Sequence, residues 1–262
     1  MASTNRRQLL QGTAAAAALL PGATFAAGDG AAPPLFDVPG VSIPIRDSGR
    51  SFPVRRIYCI GRNYAAHALE RGSNPDREPP FFFHKPTDAI QLVRKDEVLA
   101  HPYPPLTQNY HHEIELVAAL HKGGRDLRPE DALACVYGYA VGLDMTRRDL
   151  QNAMAAEKKP WEIGKSFDHS AVIGPIWPAS ASGHFTKGAI ELAVNGKLRQ
   201  SSDLSKMIWS VAEQVSRLSQ SGELFPGDII YSGTPENVGP VVPGDVMTGR
   251  IEGLYTIVVK VV

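Results

Sequence analysis

The run Tyr110-His111-His112-Glu113-Ile114-Glu115-Leu116, continuing into Val117-Ala118-Ala119-Leu120, constrains the fold of this chain more than any other stretch. It is apolar and short beyond its charged start, and it reads as a strand. On a strand Glu113 and Glu115, at i and i+2, leave the same face, so two carboxylates converge on one point. Asp144, in Gly142-Leu143-Asp144-Met145-Thr146, is the third acid of the set. Three crowded carboxylates raise one another's pKa unless a divalent ion such as Mg²⁺ or Mn²⁺ neutralises them. The same spacing also suits an ordinary solvated strand face, where Glu-x-Glu pairs are common. His111 and His112 are left out of the ligand set, because hard cations prefer oxygen.

Further runs of β-branched or apolar residues predict strands at 56–61, 81–84, 113–120, 134–143, 190–194, 229–231 and 255–262. Helices are expected at 64–71, at 146–156 with Thr146 as its cap, and at 204–220, where apolar residues recur at helical spacing. The 24 glycines and 21 prolines mostly punctuate these elements. No Gly-x-Gly-x-x-Gly or phosphate loop is present. A strand-rich α+β fold with few helices follows, and a doubly wound parallel sheet is disfavoured.

Residues 1–27 read as a twin-arginine-like export leader: Asn5-Arg6-Arg7-Gln8-Leu9-Leu10 precedes the apolar run Ala14 to Leu20, with cleavage expected near Ala26 or Ala27. The alternative is an Ala-rich leader that stays attached. The apolar run is shorter than the about 20 residues of a membrane span, so the mature protein is expected to be a soluble periplasmic one with no membrane partner. An extended, proline-spaced arm is expected over 28–53, feeding the first long strand. Lys plus Arg and Asp plus Glu balance at 27 each, and no basic block stands out beyond the leader, which disfavours nucleic acid as a partner. Cys59 and Cys135 are the only cysteines; they suit core thiols, and a disulfide between them stays open.

From about Val54 to the C-terminus the chain resembles the fumarylacetoacetate hydrolase family, through seven segments in the family order. They are Gly61-Arg62-Asn63-Tyr64 with His67 and Glu70; Phe81-Phe82-Phe83-His84-Lys85-Pro86; His112-Glu113-Ile114-Glu115; and Leu143-Asp144-Met145-Thr146-Arg147-Arg148-Asp149-Leu150-Gln151. Gly164-Lys165-Ser166-Phe167-Asp168, Val194-Asn195-Gly196 and Phe225-Pro226-Gly227-Asp228 running on to Gly233-Thr234-Pro235 complete the series. The His67/Glu70 pair and the wording Gly138-Tyr139-Ala140-Val141-Gly142-Leu143-Asp144 are most similar to the family's bacterial fumarylpyruvate hydrolase, or acylpyruvase, branch. The resemblance implies one catalytic domain over 54–262, folded as a mixed β-sandwich roll with peripheral helices, and a homodimer.

It also implies roles. Glu113, Glu115 and Asp144 would hold Mg²⁺ or Mn²⁺. His67, held in one tautomer by Glu70 three residues on, would take a proton from water, although such a pair alone is more often a surface contact. Lys165 would stabilise charge on a substrate oxygen. Arg148 and Gln151, on one helical face, would bind substrate with Arg62 and Thr234, while Arg147 is expected to face solvent. The partner is a small 2-oxo acid, and the reaction implied is cleavage of an acylpyruvate to pyruvate and a carboxylic acid. Oxaloacetate decarboxylation, isomerisation or hydration of an unsaturated 2-oxo acid, and non-catalytic binding of a 2-oxo acid are the alternatives. One departure stands out: Glu236 and Asn237 lie where the family commonly has Ala-Gly, which weighs against a dicarboxylic substrate.

Overall fold

The computed structural model describes residues 33–72 and 78–262, so the leader expected at 1–27 lies outside the described residues. Residues 33–39 contain no helix or strand, and the unit 40–262 carries every element discussed below.

Two mixed sheets face each other. The larger runs Phe82–Lys85, Arg56–Ile60, Asp228–Tyr231, Ile114–Leu120, Val136–Asp144, Ala171–Ile173, Ile90–Leu92, with Trp177–Pro178 also pairing to Val136–Asp144. The second runs Lys197–Asp203, Ala189–Val194, Val246–Ile251, Ile257–Val261, Val98–His101. Most neighbours are antiparallel, but Asp228–Tyr231 lies parallel to Arg56–Ile60, Ala171–Ile173 to Ile90–Leu92, and, in the second sheet, Ile257–Val261 to Val98–His101. The strand-rich α+β roll expected from the sequence is the fold observed.

Ile114–Leu120 is buried at every position because both of its faces are covered. Leu116, Ala118 and Leu120 point between the sheets with Leu192, Met247 and Val259; Val117 and Ala119 join Ile57, Ile229 and Ile173 on the opposite face. That outer face is capped by the hairpin Ser42–Pro44/Ser51–Pro53, through buried Ile43 and Phe52. Each such side chain removed from water contributes about 1.5–3 kcal/mol. The outer layer therefore uses residues that the sequence alone suggested were an open arm.

Several boundaries differ from expectation. The helix expected at 146–156 begins at Arg148, because Thr146 and Arg147 pair in a short strand with Tyr110–His112. Thr146 does not cap it: its hydroxyl donates to the Asp144 carbonyl at 2.9 Å. The stretch 204–220 divides into a 3-10 turn at Leu204–Lys206 and a helix at Val211–Ser221, which starts at a capping box made by Ser210 and Glu213. Lys197–Asp203 is a strand that the sequence does not announce, since only Gln200 along it is buried.

Candidate active site

Antiparallel register brings the three acids together. Ile114 stands opposite Leu143 and Glu115 opposite Gly142, so the end of one strand meets the start of the other. Glu113 sits in the break between Tyr110–His112 and Ile114–Leu120, and its carbonyl accepts from the Asp144 amide at 2.9 Å. Gly142 leaves room for this approach: a Cβ there would lie 2.6 Å from Val117 and 2.7 Å from the Tyr231 ring. Glu113, Glu115 and Asp144 are all buried, and each offers an oxygen within 4.8 Å of the other two.

Basic side chains surround the cluster. Lys165 Nζ donates to Glu113 Oε2, Asp144 Oδ2 and Thr146 Oγ1, each at 2.7 Å, which uses all three of its protons. Arg148 pairs with Glu113 Oε1 and donates to Gln151 Oε1 at 2.6 Å. Lys85 Nζ lies 2.8 Å from Asp144 Oδ1, but off the hydrogen-bond direction, so this buried oxygen has a charged neighbour and no donor. Burial opposes ionisation of Glu113, yet Lys165 and Arg148 outweigh it and hold the carboxyl well below its usual range. Glu115 is driven the other way: burial, then Asp144 and Glu113, push it well up, and among the described residues only the Gly233 amide donates to it, at 2.8 Å. An acid whose ionisation is opposed by burial and by two neighbouring carboxylates, beside a carboxylate oxygen with no donor, is an arrangement that a hard divalent cation relieves. The donor set fits Mg²⁺ or Mn²⁺.

The cluster floors a cavity of about 100 Å³, whose lining also includes Arg62, His67, Arg71, Phe83, Gln151, Trp161 and Thr234. His67 projects from the helix Ala65–Glu70; its Nδ1 donates to Glu70 Oε2 at 3.0 Å, which leaves Nε2 free to accept a proton. Burial, the largest single influence, raises the Glu70 carboxyl, but the bond to His67, the proximity of His67 and Arg148, and the Asn237 amide together outweigh it and lower the acid below its usual range. Arg62 reaches the wall from a left-handed backbone at φ 57°, and its guanidinium lies beside the edge-to-face pair of Phe81, at 5.6 Å, and Trp161, at 5.7 Å. Thr234 Oγ1 accepts from Gln200 Nε2 at 2.9 Å, so its own proton is free for another acceptor.

Arg62, His67, Glu113, Glu115, Asp144, Arg148, Gln151, Lys165 and Thr234, the site candidates of the sequence, all line this cavity, and Glu70 reaches it through His67. Arg147 differs from expectation: it is buried, with its guanidinium 4.1 Å over the Phe167 ring, because the short strand turns it inward. Glu236 does not line the cavity; its carbonyl takes a long contact of 3.4 Å from Gln200. Cys59 and Cys135 are both free, buried thiols. Sequence reasoning missed Lys85, Arg71 and Gln200. Lys85 had a visible signal, a lone lysine closing the aromatic strand Phe82–Lys85, whereas Gln200 on an otherwise polar strand had none.

A buried carboxylate cluster ringed by cations, lining one cavity with a histidine oriented by a carboxylate, defines an enzyme. The chain belongs to the fumarylacetoacetate hydrolase family: residues 56–262 match the family described as fumarylacetoacetate (FAA) hydrolase C-terminal. It is 45% identical over 180 residues to a fumarylpyruvate hydrolase from Ralstonia sp, a match covering 69% of this chain and 91% of the relative. It is 36% identical over 202 residues to a mitochondrial oxaloacetate decarboxylase from Dictyostelium discoideum, covering 77% and 91%. Among solved structures it superposes at a TM-score of 0.86 on fumarylpyruvate hydrolase from Pseudomonas aeruginosa in complex with Mn²⁺ and pyruvate, with 56% identity, covering 88% of this chain and 99% of that one.

Proposed function

We propose that this chain is a metal-dependent hydrolase that cleaves the carbon–carbon bond of an acylpyruvate, giving pyruvate and a carboxylic acid. The observation that carries the reading is the His67–Glu70 pair facing the same small cavity as the Glu113/Glu115/Asp144 cluster. Likeness to the two fumarylpyruvate hydrolases supports it.

Mg²⁺ or Mn²⁺ held by Glu113, Glu115 and Asp144 would supply Lewis-acid polarisation at the 2-oxo end of the substrate. The chain's own groups do the rest. Glu70 fixes the His67 tautomer, and Nε2 takes a proton from water as that water adds to the carbonyl two carbons further along. The carbon–carbon bond breaks, its electron pair stays on the pyruvate fragment as an enolate, and a proton returned to that carbon completes pyruvate. General-base action of this kind contributes about 10²–10⁴-fold. Gln151, Arg62 and the Thr234 hydroxyl orient the substrate, and Lys165 and Arg148 set the positive potential in which the enolate forms.

The test is pyruvate release from a panel of acylpyruvates and oxaloacetate with Mg²⁺, Mn²⁺ or chelator. Wild type is expected to cleave an acylpyruvate only with metal, and Glu113→Ala to lose this. Decarboxylation of oxaloacetate is the second reading, favoured by the Dictyostelium relative. It needs the same enolate but no water, so His67→Ala would abolish hydrolysis and largely spare decarboxylation. A homodimer, and export to the periplasm through the 1–27 leader, belong to the same proposal; light scattering and the N-terminal mass of protein recovered from cells check them.

A further inference from the structure

Glu236-Asn237, the departure noted in the sequence, lies on the connection from Asp228–Tyr231 to Gly239–Pro240, which meets the cavity at Thr234. That connection is fixed along its length. At its start the Ser232 amide donates to the Leu116 carbonyl at 3.0 Å, and the Gly233 amide to Glu115 Oε2 at 2.8 Å. In its middle the Pro235 carbonyl accepts from Gln200 Nε2 at 2.9 Å. At its end Gly239 and Pro240 pair antiparallel with His112 and His111.

Two of its residues have left-handed backbones, Gly233 at φ 92° and Asn237 at φ 65°. Each turns an amide towards an acid of the site, Gly233 to Glu115 and Asn237 to the Glu70 carboxylate. Gly233 has no substitute, since a Cβ there would lie 2.6 Å from the Asn63 Cβ. Asn237 is exposed, and asparagine is one of the few residues other than glycine that visit this region readily. With its side chain in water, position 237 contributes its backbone to the site.

Glu70 has use for that amide. His67 lines the reaction cavity, whereas Glu70 faces an outer cleft of about 400 Å³ shared with His112, Arg199 and Asn237. The Glu70 side chain is 34% exposed, so water competes for the carboxylate that orients His67. Burial opposes its charged form, and the His67 bond, the Asn237 amide and Arg148 favour it.

We propose that Asn237 is a positioning residue of the His67–Glu70 pair: its left-handed backbone aims the amide that holds the Glu70 carboxylate on His67 Nδ1, and the same connection, through Gly233, ties that pair to Glu115. The inference rests on the reading of His67 as general base in the proposed hydrolysis.

Position 237 should then follow backbone cost and not side-chain chemistry. Asn237→Val, β-branched and ill suited to positive φ, is expected to lower kcat about tenfold with KM unchanged, the least that a hydrogen bond to a charged group is worth. Asn237→Gly, the conservative variant for this backbone, should recover most of that loss. Without the amide the charged carboxylate is less supported, so the acid limb of kcat should move to higher pH in Asn237→Val and stay in place in Asn237→Gly. His67, Arg71 and Arg148 act on Glu70, and His112 and Arg199 share its cleft; none is altered by these substitutions, so a difference between the variants reports the amide. A Gly variant as slow as the Val variant, or a loss of rate in Asn237→Val with the acid limb unmoved, overturns the inference.

A readout without turnover separates it from the hydrolytic reading. In wild type with Mg²⁺ the Asn237 amide proton should shift in NMR spectra as Glu70 takes up its proton on lowering the pH, and Glu70→Gln should abolish that shift. An amide proton that does not respond in wild type sinks the proposal, whatever becomes of the folding of Asn237→Val. Failure to cleave any acylpyruvate, with the titrating amide intact, removes the hydrolase and leaves the hold of Asn237 on Glu70 standing.

Discussion

Gln200 donates to Thr234 Oγ1 at 2.9 Å, while its own carbonyl oxygen accepts from His112 Nδ1 at 2.9 Å and the Ile114 amide at 3.2 Å. One amide from the second sheet thus fixes the hydroxyl on the cavity wall and the start of the strand that carries Glu115. Gln200→Leu strands the buried Ile114 amide and the imidazole donor, at a cost of about 2 kcal/mol in stability, since an unmet buried donor forfeits its desolvation penalty. It also frees the Thr234 hydroxyl to turn. We expect a loss of that size in the free energy of urea unfolding and a fall in catalytic efficiency of about tenfold, matched by Thr234→Val. Unchanged turnover in the Leu variant would show that Thr234 needs no such positioning.

Glu113 and Glu115 stand two residues apart, yet their substitution by Gln should have opposite consequences. Glu113 is held ionised by Lys165 and Arg148, so Glu113→Gln leaves two buried cations underpaired and should cost about 3 kcal/mol. Glu115 is pushed towards its neutral form by burial, Asp144 and Glu113, and Gln is a neutral isostere. Glu115→Gln should therefore keep the stability of chelated protein while losing the rise in melting temperature that Mn²⁺ gives the wild type. Thermal melts of both variants with Mn²⁺ and with chelator check this. Equal destabilisation of the chelated proteins would refute the assignment.

Lys85 lies 2.8 Å from Asp144 Oδ1 and donates to the carbonyls of Met145, at 3.3 Å, and Lys165. Without a bound cation it is part of what balances the acids. Lys85→Met should destabilise chelated protein by about 3 kcal/mol, and the melting-temperature gain from saturating Mn²⁺ should be larger in the variant than in wild type, because the ion replaces lost positive charge. A smaller gain in the variant would mean that Lys85 supports the ligand geometry instead of competing with the ion.

The acids were legible because a strand has period two and the Glu-x-Glu run has few ways to fold, and Asp144 was legible through the neighbouring motif. What the sequence could not show is what arrives from far along the chain. Gln200 reaches His112 and Thr234 from a strand whose other positions are largely polar or exposed, so no hydrophobic alternation marks it. Arg147 reads as a surface residue at the head of a helix. It is buried because Thr146 and Arg147 pair with Tyr110 and His111 before the helix begins, a non-local contact that overrides the local helical pattern. Arg71 looks like a helix-ending cation at the chain's surface, and only the packing of its helix near Asn152 turns it towards the cavity. Helix ends and edge strands were misplaced for the same reason: their positions are set by pairing partners, not by propensity.

His101 gives a pH dependence away from the cavity. It is fully buried at the end of Val98–His101, between Gln91 Oε1 and the Tyr110 hydroxyl, each at 2.6 Å, and burial pushes its pKa down from 6.5 to about 4. The unfolded chain binds this proton as pH falls through about 6.5, whereas the folded chain resists until about 4. Stability linked to His101 is thus complete above pH 6.5, falls as pH drops across that window, and is lost by pH 4, with an upper size of about 3 kcal/mol at 1.36 kcal/mol per unit. Carboxylates titrate there too, so the informative quantity is a difference between proteins. Urea unfolding from pH 4 to 7 of wild type and His101→Gln should give curves that converge as pH falls, since the variant has no imidazole to protonate. Parallel curves would mean that His101 binds its proton equally well in the folded and unfolded chain, so that burial does not depress it.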